Sequence, residues 1–251
     1  MRFSFVLLAL GLLAACKPSP EIPEPAPPAR AEGGFPLPDR PVAGIVAPEW
    51  SNGPDRDAAD ESGQLIRGLG IGPGMAVADI GAGSGYHTLR FSPAVGPTGV
   101  VYAEDIVEAY ISGLRREAER RGLSNIRIVV GTADDPKLPP KAIDRAVLVH
   151  MYHEVENPYA LLWNLAGSLK PGALVGVIDL DRGVSSHGMP PALLKCEFEA
   201  VGYRQVRSAP MAGGVGYLAI FEAPAARPKP ADFEAPAARP KPADIKACKA
   251  R

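Results

Sequence analysis

Apolar positions along this chain fall into short continuous runs separated by stretches with a helical repeat. Met75–Ile80, Gly99–Glu104, Ile126–Val130, Ile143–Met151 and Leu174–Asp179 have the length and branched apolar content of buried strands. Between the runs the period changes. Leu65, Ile66 and Leu69 form one face of a helix that stops at Gly70, and Tyr86–Val95 reads as a second helix. Val107, Tyr110, Ile111, Leu114 and Ala118 recur at three- and four-residue spacing, with Arg115, Arg116, Glu117 and Arg120 on the opposite face. Asn157 and Pro158 open a helix lined by Leu161, Leu162, Leu165 and Leu169, and Pro171-Gly172 end it. Ala192–Ala200 is helical in pattern. Tyr203–Ser208 and Val215–Phe221 are predicted to pair as a closing antiparallel hairpin. This alternation predicts an α/β fold: a mostly parallel seven-stranded sheet with helices on both faces.

Both ends depart from the pattern. The chain opens MRFSFVLLALGLLAACKPSP, where Arg2 supplies positive charge and Phe3–Leu13 is too short to span a bilayer as an ordinary helix. Leu13-Ala14-Ala15-Cys16 resembles a bacterial lipobox, in which small residues fit the peptidase and the cysteine thiol receives diacylglycerol. The expected organisation is a lipoprotein signal peptide over 1–15, a lipidated Cys16 with a Pro-rich tether over 16–43, a folded domain over 44–222, and a Pro/Ala/Lys-rich tail over 223–251. The repeat FEAPAARPKPAD occurs twice, at Phe221–Asp232 and Phe233–Asp244. Acyl chains (palmitate among them) would hold the domain on a membrane. Lys17 after the cysteine resembles the signal for outer-membrane sorting, so the expected location is the outer membrane, facing the periplasm.

Charge and cysteine content narrow the partners. A net charge of −1 leaves no basic excess, so no nucleic-acid partner is expected. Cys196 and Cys248 are either a disulfide, which an oxidising compartment permits, or two unpaired thiols. No Cys/His spacing resembles a zinc site, and no metal is expected.

The chemistry concentrates after the first strand, in VADIGAGSGYHTLRF (Val77–Phe91). Gly81, Gly83 and Gly85 let backbone approach a ligand and turn sharply into a helix. The dinucleotide pattern G-x-G-x-x-G would put its third glycine at Tyr86, so a nicotinamide-dependent reductase is disfavoured. Asp79 precedes the loop, and Glu104-Asp105 end the second strand, where a carboxylate can accept from both hydroxyls of a ribose.

These segments resemble the class I S-adenosylmethionine (SAM)-dependent methyltransferases. The likeness runs from about Trp50 to Glu222 through VADIGAGSGYHT, GPTGVVYAEDI, GTADDPKLPP, IDRAVLVHMYHEVENP and LKPGALVGVIDLD. It is greatest to small, often exported, lipoprotein-type members. It implies a Rossmann-like fold and SAM as cofactor. Asp79 and the backbone of Gly81, Ala82, Gly83 and Gly85 would hold the methionine portion. Asp105, with Glu104 beside it, would take the ribose, Ile106 would touch adenine, and Ala133 and Asp134 would lie at its edge. Many relatives read Gly-Asp-Ala where this chain has Gly131-Thr132-Ala133, which passes the adenine amino contact to Thr132, Asp134 or water.

His150, Tyr152, His153 and Glu154 follow the fourth strand, where the resemblance places the methyl acceptor, and are the candidate catalytic residues. His87 is expected at a solvated helix position and His187 on a mobile surface loop. Trp50 and Arg56 are candidate covers of the pocket. The expected function is methyl transfer from SAM to a small-molecule or envelope acceptor. The alternative is a non-catalytic ligand-binding lipoprotein on the same fold. Oligomeric state is left open.

Overall fold

The computed structural model describes residues 34–45, 53–225 and 245–249. The lipobox with Cys16, the signal segment 1–15, Trp50 and most of the repeat lie outside the described residues. The domain begins with helices α1 (Gly53–Ala58) and α2 (Glu61–Leu69). Then come β1 (Ala76–Ile80), α3 (Thr88–Val95), β2 (Val100–Asp105), α4 (Glu108–Arg120), β3 (Ile126–Val130) and β4 (Ile143–Val149). After these follow α5 (Pro158–Ser168), β5 (Leu169–Asp179), α6 (Pro191–Ala200), β6 (Arg204–Pro210) and β7 (Tyr217–Glu222). The seven strands form one sheet in the order β3-β2-β1-β4-β5-β7-β6. Only β7 runs antiparallel, to both β5 and β6.

Side-chain alternation along the strands separates two apolar layers. Val77, Val101, Val147 and Ile178 meet Leu65 and Leu69 of α2 and Phe91 and Val95 of α3. Ala78, Ile80, Leu148, Val175 and Val177 face Leu162 and Leu165 of α5 and Leu194 and Phe198 of α6. Gly176 is the close-approach point of β5: a Cβ there would lie 2.8 Å from Leu69 Cδ1. Gly70 ends α2 in the left-handed region, as the sequence pattern predicts.

Three local expectations change. Leu169 belongs to β5, pairing with Ile143, so α5 stops one residue earlier. Asn157 precedes α5 without a side-chain capping bond. His87 is buried; its Nδ1 is 2.8 Å from Ser62 Oγ, and its Nε2 lies against Glu61.

Two stretches expected to be tether and tail are packed onto the domain. Phe35, Arg40 and Ala43 are buried, as are Ile245 and Cys248. Asp39 and Lys249 form an isolated bridge, and Cys196 of α6 is disulfide-bonded to Cys248. The Arg40 Nε donates to Glu197 Oε1 at 2.8 Å, with both side chains fully buried. Composition concealed these contacts because Pro-rich sequence identifies extended backbone, not where that backbone lies.

Candidate active site

The strand order reverses between β1 and β4, where α/β sheets leave a crevice beyond the carboxyl ends of the strands. A cleft of about 420 Å³ opens there, within the ~300–1,000 Å³ range of small-molecule sites. Its floor is Gly81, Ala82 and Gly83. Glu104, Asp105 and Ile106 form one wall, and His150, Met151 and Glu154 another.

The glycines divide their roles. Gly83 has φ +55°, and a Cβ there would meet no atom within 4 Å, so its Cα faces open space. Gly81 has φ +69°, and a Cβ would lie 2.9 Å from Met151 Cγ. Gly85 does not line the cleft; a Cβ there would lie 2.2 Å from Leu114 Cδ1, so this glycine lets α4 approach the loop. Asp79 also lies beneath the cleft rather than in it. Its Oδ2 accepts the Thr88 hydroxyl at 2.6 Å and ties β1 to the start of α3.

Asp105 holds the loop to the second strand. Its Oδ2 accepts Gly83 N–H at 2.7 Å and its Oδ1 accepts Val107 N–H at 2.8 Å. A carboxylate has about four lone-pair sites, so each oxygen retains acceptor capacity. Ile106, 43% exposed, presents an apolar surface at the rim. Thr132 and Ala133 line the opposite edge, whereas Asp134 turns away and accepts the Thr132 hydroxyl at 2.8 Å.

Burial pushes the Glu104 carboxyl up to about 8, reinforced by the Asp105 charge and opposed by the Gly81 N–H. It pushes Asp79 up to about 6 and His87 down to about 4. A carboxyl raised in the folded state contributes stability that is complete below its unfolded value, 4.5 here, and is lost as pH rises through the folded value. From about pH 7 to 8 the shifts of Asp79 and His87 are largely spent, and Glu104 dominates among the three. Unfolding free energy is therefore expected to fall across that window, by at most ~1.4 kcal/mol per pH unit. Urea melts at several pH values check this, and Glu104→Gln is expected to flatten the decline.

The candidate catalytic residues separate. His150 and Glu154 line the cleft, whereas Tyr152 and His153 do not. Tyr152 is fully buried beside Phe198, with its hydroxyl toward Glu197, because the short helical turn 152–154 points it into the α5–α6 layer. His153 is buried one layer behind Glu154, its Nδ1 2.9 Å from Asp179 Oδ2. His150 takes the left-handed conformation, φ +53°, uncommon for a residue with a Cβ and typical of functional turns. Its Nε2 lies 3.4 Å from Glu61 Oε2.

Glu61 is a centre that the sequence pattern did not reveal. Although burial opposes it, bonds from His150, His87 and Arg56 hold its carboxyl far below the usual carboxylate range. Arg56 in turn stacks 3.9 Å from the Tyr86 ring centroid, with Arg90 at 3.8 Å. Among the described residues Arg56 is the only Arg or Lys lining the cleft. A polar residue on the buried face of α2 was the available signal for Glu61.

A glycine cradle, a carboxylate at the end of β2 and an apolar rim make a nucleoside-shaped crevice. Residues 77–172 match the model of a methyltransferase domain family. The ubiquinone/menaquinone biosynthesis C-methyltransferase UbiE of Shewanella pealeana is 29% identical over 118 residues, covering 47% of each chain. The tRNA (guanine(6)-N2)-methyltransferase of Thermus thermophilus is 33% identical over 137 residues, 51% of this chain and 40% of that one. A crystal structure of a SAM-dependent methyltransferase from Aquifex aeolicus superposes with a TM-score of 0.61 at 24% identity, covering 68% of this chain and 92% of that one. The chain spans about half the length of the first of these curated relatives. The fold is the Rossmann-like methyltransferase fold. The matches support a class I methyltransferase and imply SAM as its cofactor. They lend no support to the non-catalytic alternative.

Proposed function

We propose that this chain is a SAM-dependent methyltransferase, exported and lipid-anchored through Cys16, that modifies a small-molecule or envelope acceptor. The observation that carries the enzymatic part is Asp105, held at the cleft wall by the N–H of Gly83, whose Cα is open to the cleft. The cleft fits the cofactor: bare backbone where its methionine portion would lie, and carboxylate acceptor sites for a ribose diol. SAM supplies a methyl group already activated by its sulfonium.

The chain's residues supply the rest. Asp105 accepts from the ribose hydroxyls, Ile106 and Thr132 bracket the base, and Arg56 faces the methionine carboxylate. His150, oriented by Glu61, takes a proton from the acceptor, and Glu154 positions it. Ile45, Met151, Val155 and Leu161 give the acceptor side an apolar wall, which suits an acceptor with an apolar body. Glu154 and Glu156 at the cleft make it unfavourable for a phosphate backbone, which argues against a nucleic-acid acceptor.

Titration of the full-length protein with SAM and its demethylated product is expected to show one site for each. Arg56→Gln should weaken SAM by roughly 10–100-fold, the loss of one charge-assisted contact. Absence of binding by the wild-type protein contradicts the reading.

The export reading is supported by the lipobox pattern and by the Cys196–Cys248 pairing, which suits an oxidising compartment. Cys16→Ser is expected to abolish acylation and leave an unprocessed precursor, measured by labelled-palmitate incorporation and by mass. Unchanged incorporation in that variant would refute the anchor.

A further inference from the structure

His153, Glu154 and His187 lie outside any metal-binding spacing in the sequence, yet the fold brings them together. One ligand atom from each falls within 4.8 Å of the other two. His153 and Glu154 sit on the short turn after β4, and His187 sits in the loop that follows β5. His153 is 3% exposed, and its Nε2 lies 3.9 Å from Glu154 Oε1. The His153 and His187 rings meet edge to face, with centroids 5.6 Å apart.

The second layer is what distinguishes this group from a chance cluster. His153 Nδ1 lies 2.9 and 3.1 Å from the two oxygens of Asp179, a fully buried carboxylate at the end of β5. Asp179 Oδ1 also accepts the Leu180 N–H at 2.8 Å, which fixes its plane. An ionised carboxylate only accepts, so Nδ1 carries the proton and Nε2, 3.9 Å from Glu154 Oε1, keeps its lone pair for a ligand. A carboxylate behind a histidine, fixing tautomer and ring orientation, is the usual outer shell of a metal-ligating imidazole. His187 is itself held in the left-handed region, φ +54°, with its N–H on the Val184 carbonyl.

We propose that His153 Nε2, Glu154 and His187 form a binding site for a borderline divalent cation of the zinc type. Two imidazoles and one carboxylate are a donor set suited to zinc and unlike the all-oxygen shells of magnesium and calcium. Tetrahedral bonds of ~2.0–2.1 Å place ligand atoms roughly 3.3 Å apart, so modest side-chain rotations close the present spacing. The ion would join the post-β4 and post-β5 loops and leave one position for water or another donor. Its carboxylate ligand, Glu154, also lines the cleft, so the ion would fix that wall. The site shares Glu154 with the proposed acceptor wall, but zinc binding is tested without SAM, so its failure and that of the methyl-transfer reading are distinguishable.

The test uses the full-length protein, stripped with chelator and kept non-reducing so that the disulfide persists. Zinc is titrated in competition with a chromophoric chelator, and cobalt is used as a spectroscopic probe. The expected result is one equivalent per chain and a visible cobalt spectrum of tetrahedral type. His187→Gln and Glu154→Gln should each weaken zinc at least 10-fold, with unchanged far-UV circular dichroism. Asp179→Asn should weaken it by ~10–100-fold while all three ligands remain. No stoichiometric zinc uptake by the folded wild-type protein would overturn the proposal. So would His187→Gln binding zinc and cobalt as the wild type does; His187 is half-buried in a loop outside the sheet, and circular dichroism confirms that the variant is folded.

Discussion

Replacing Asp105 by alanine is expected to lower SAM affinity by about 100-fold or more and to destabilise the fold at the same time. Under the proposed cofactor placement, two ribose hydroxyls lose a charged acceptor, and each such bond contributes ~1.5–3 kcal/mol. The second effect follows from contacts already present. The Gly83 and Val107 amides donate to the two Asp105 oxygens at 2.7 and 2.8 Å. Both amides are half-buried at the cleft, so losing their acceptor costs less than the ~1–3 kcal/mol of a fully buried amide. Binding calorimetry and thermal melting measure the two effects separately. Asp105→Asn retains one carbonyl oxygen and should fall between alanine and wild type in both. Unchanged affinity in Asp105→Ala would remove the ribose assignment.

The largest loss of stability is expected at Arg40, a residue whose surroundings in sequence read as linker. Its guanidinium is fully buried on Glu197, and its Nη2 reaches the carbonyls of Tyr152 and Val155 at 3.4 and 3.5 Å. Burial pushes the Glu197 carboxyl up, and Arg40 is the charge that opposes this. Arg40→Ala strands an uncompensated carboxylate and is expected to cost about 3–5 kcal/mol. For a domain of this size that lowers the melting temperature by roughly 10 °C. Because Arg40 anchors the backbone on both sides of Glu154, activity should fall as well. The double replacement Arg40→Met with Glu197→Leu removes both charges and should recover most of the stability, since buried ion pairs exchange nearly neutrally for apolar pairs. A melt of Arg40→Ala within a degree of wild type would contradict the burial described.

The sheet was legible because its signal is local. Each strand run and each helical stripe lies within a short window, and the predicted runs match six strands to within two residues, whereas β5 begins five residues before the predicted Leu174. The cleft floor was legible for the same reason: Gly81, Gly83, Glu104 and Asp105 are marked by position at strand ends. What escaped the sequence depends on distant pairing. Asp79 and Gly85 belong to the same motif as Gly83, yet one serves Thr88 and the other makes room for Leu114. Tyr152 and His153 follow β4 alongside His150, but a short helical turn sends them inward. His87 was expected in solvent because nothing local indicates Glu61, which approaches from another helix. Arg40, Cys248 and Ile245 sit in proline-rich sequence whose burial is decided by α5 and α6.

The most direct measurement is a crystal structure with the demethylated product of SAM bound. Both ribose hydroxyls are expected within hydrogen-bond distance of Asp105, the base between Ile106 and Thr132, and the sulfur directed at the His150–Glu154 wall. A nucleoside seated elsewhere, or a cleft left empty at saturating ligand, would contradict this placement.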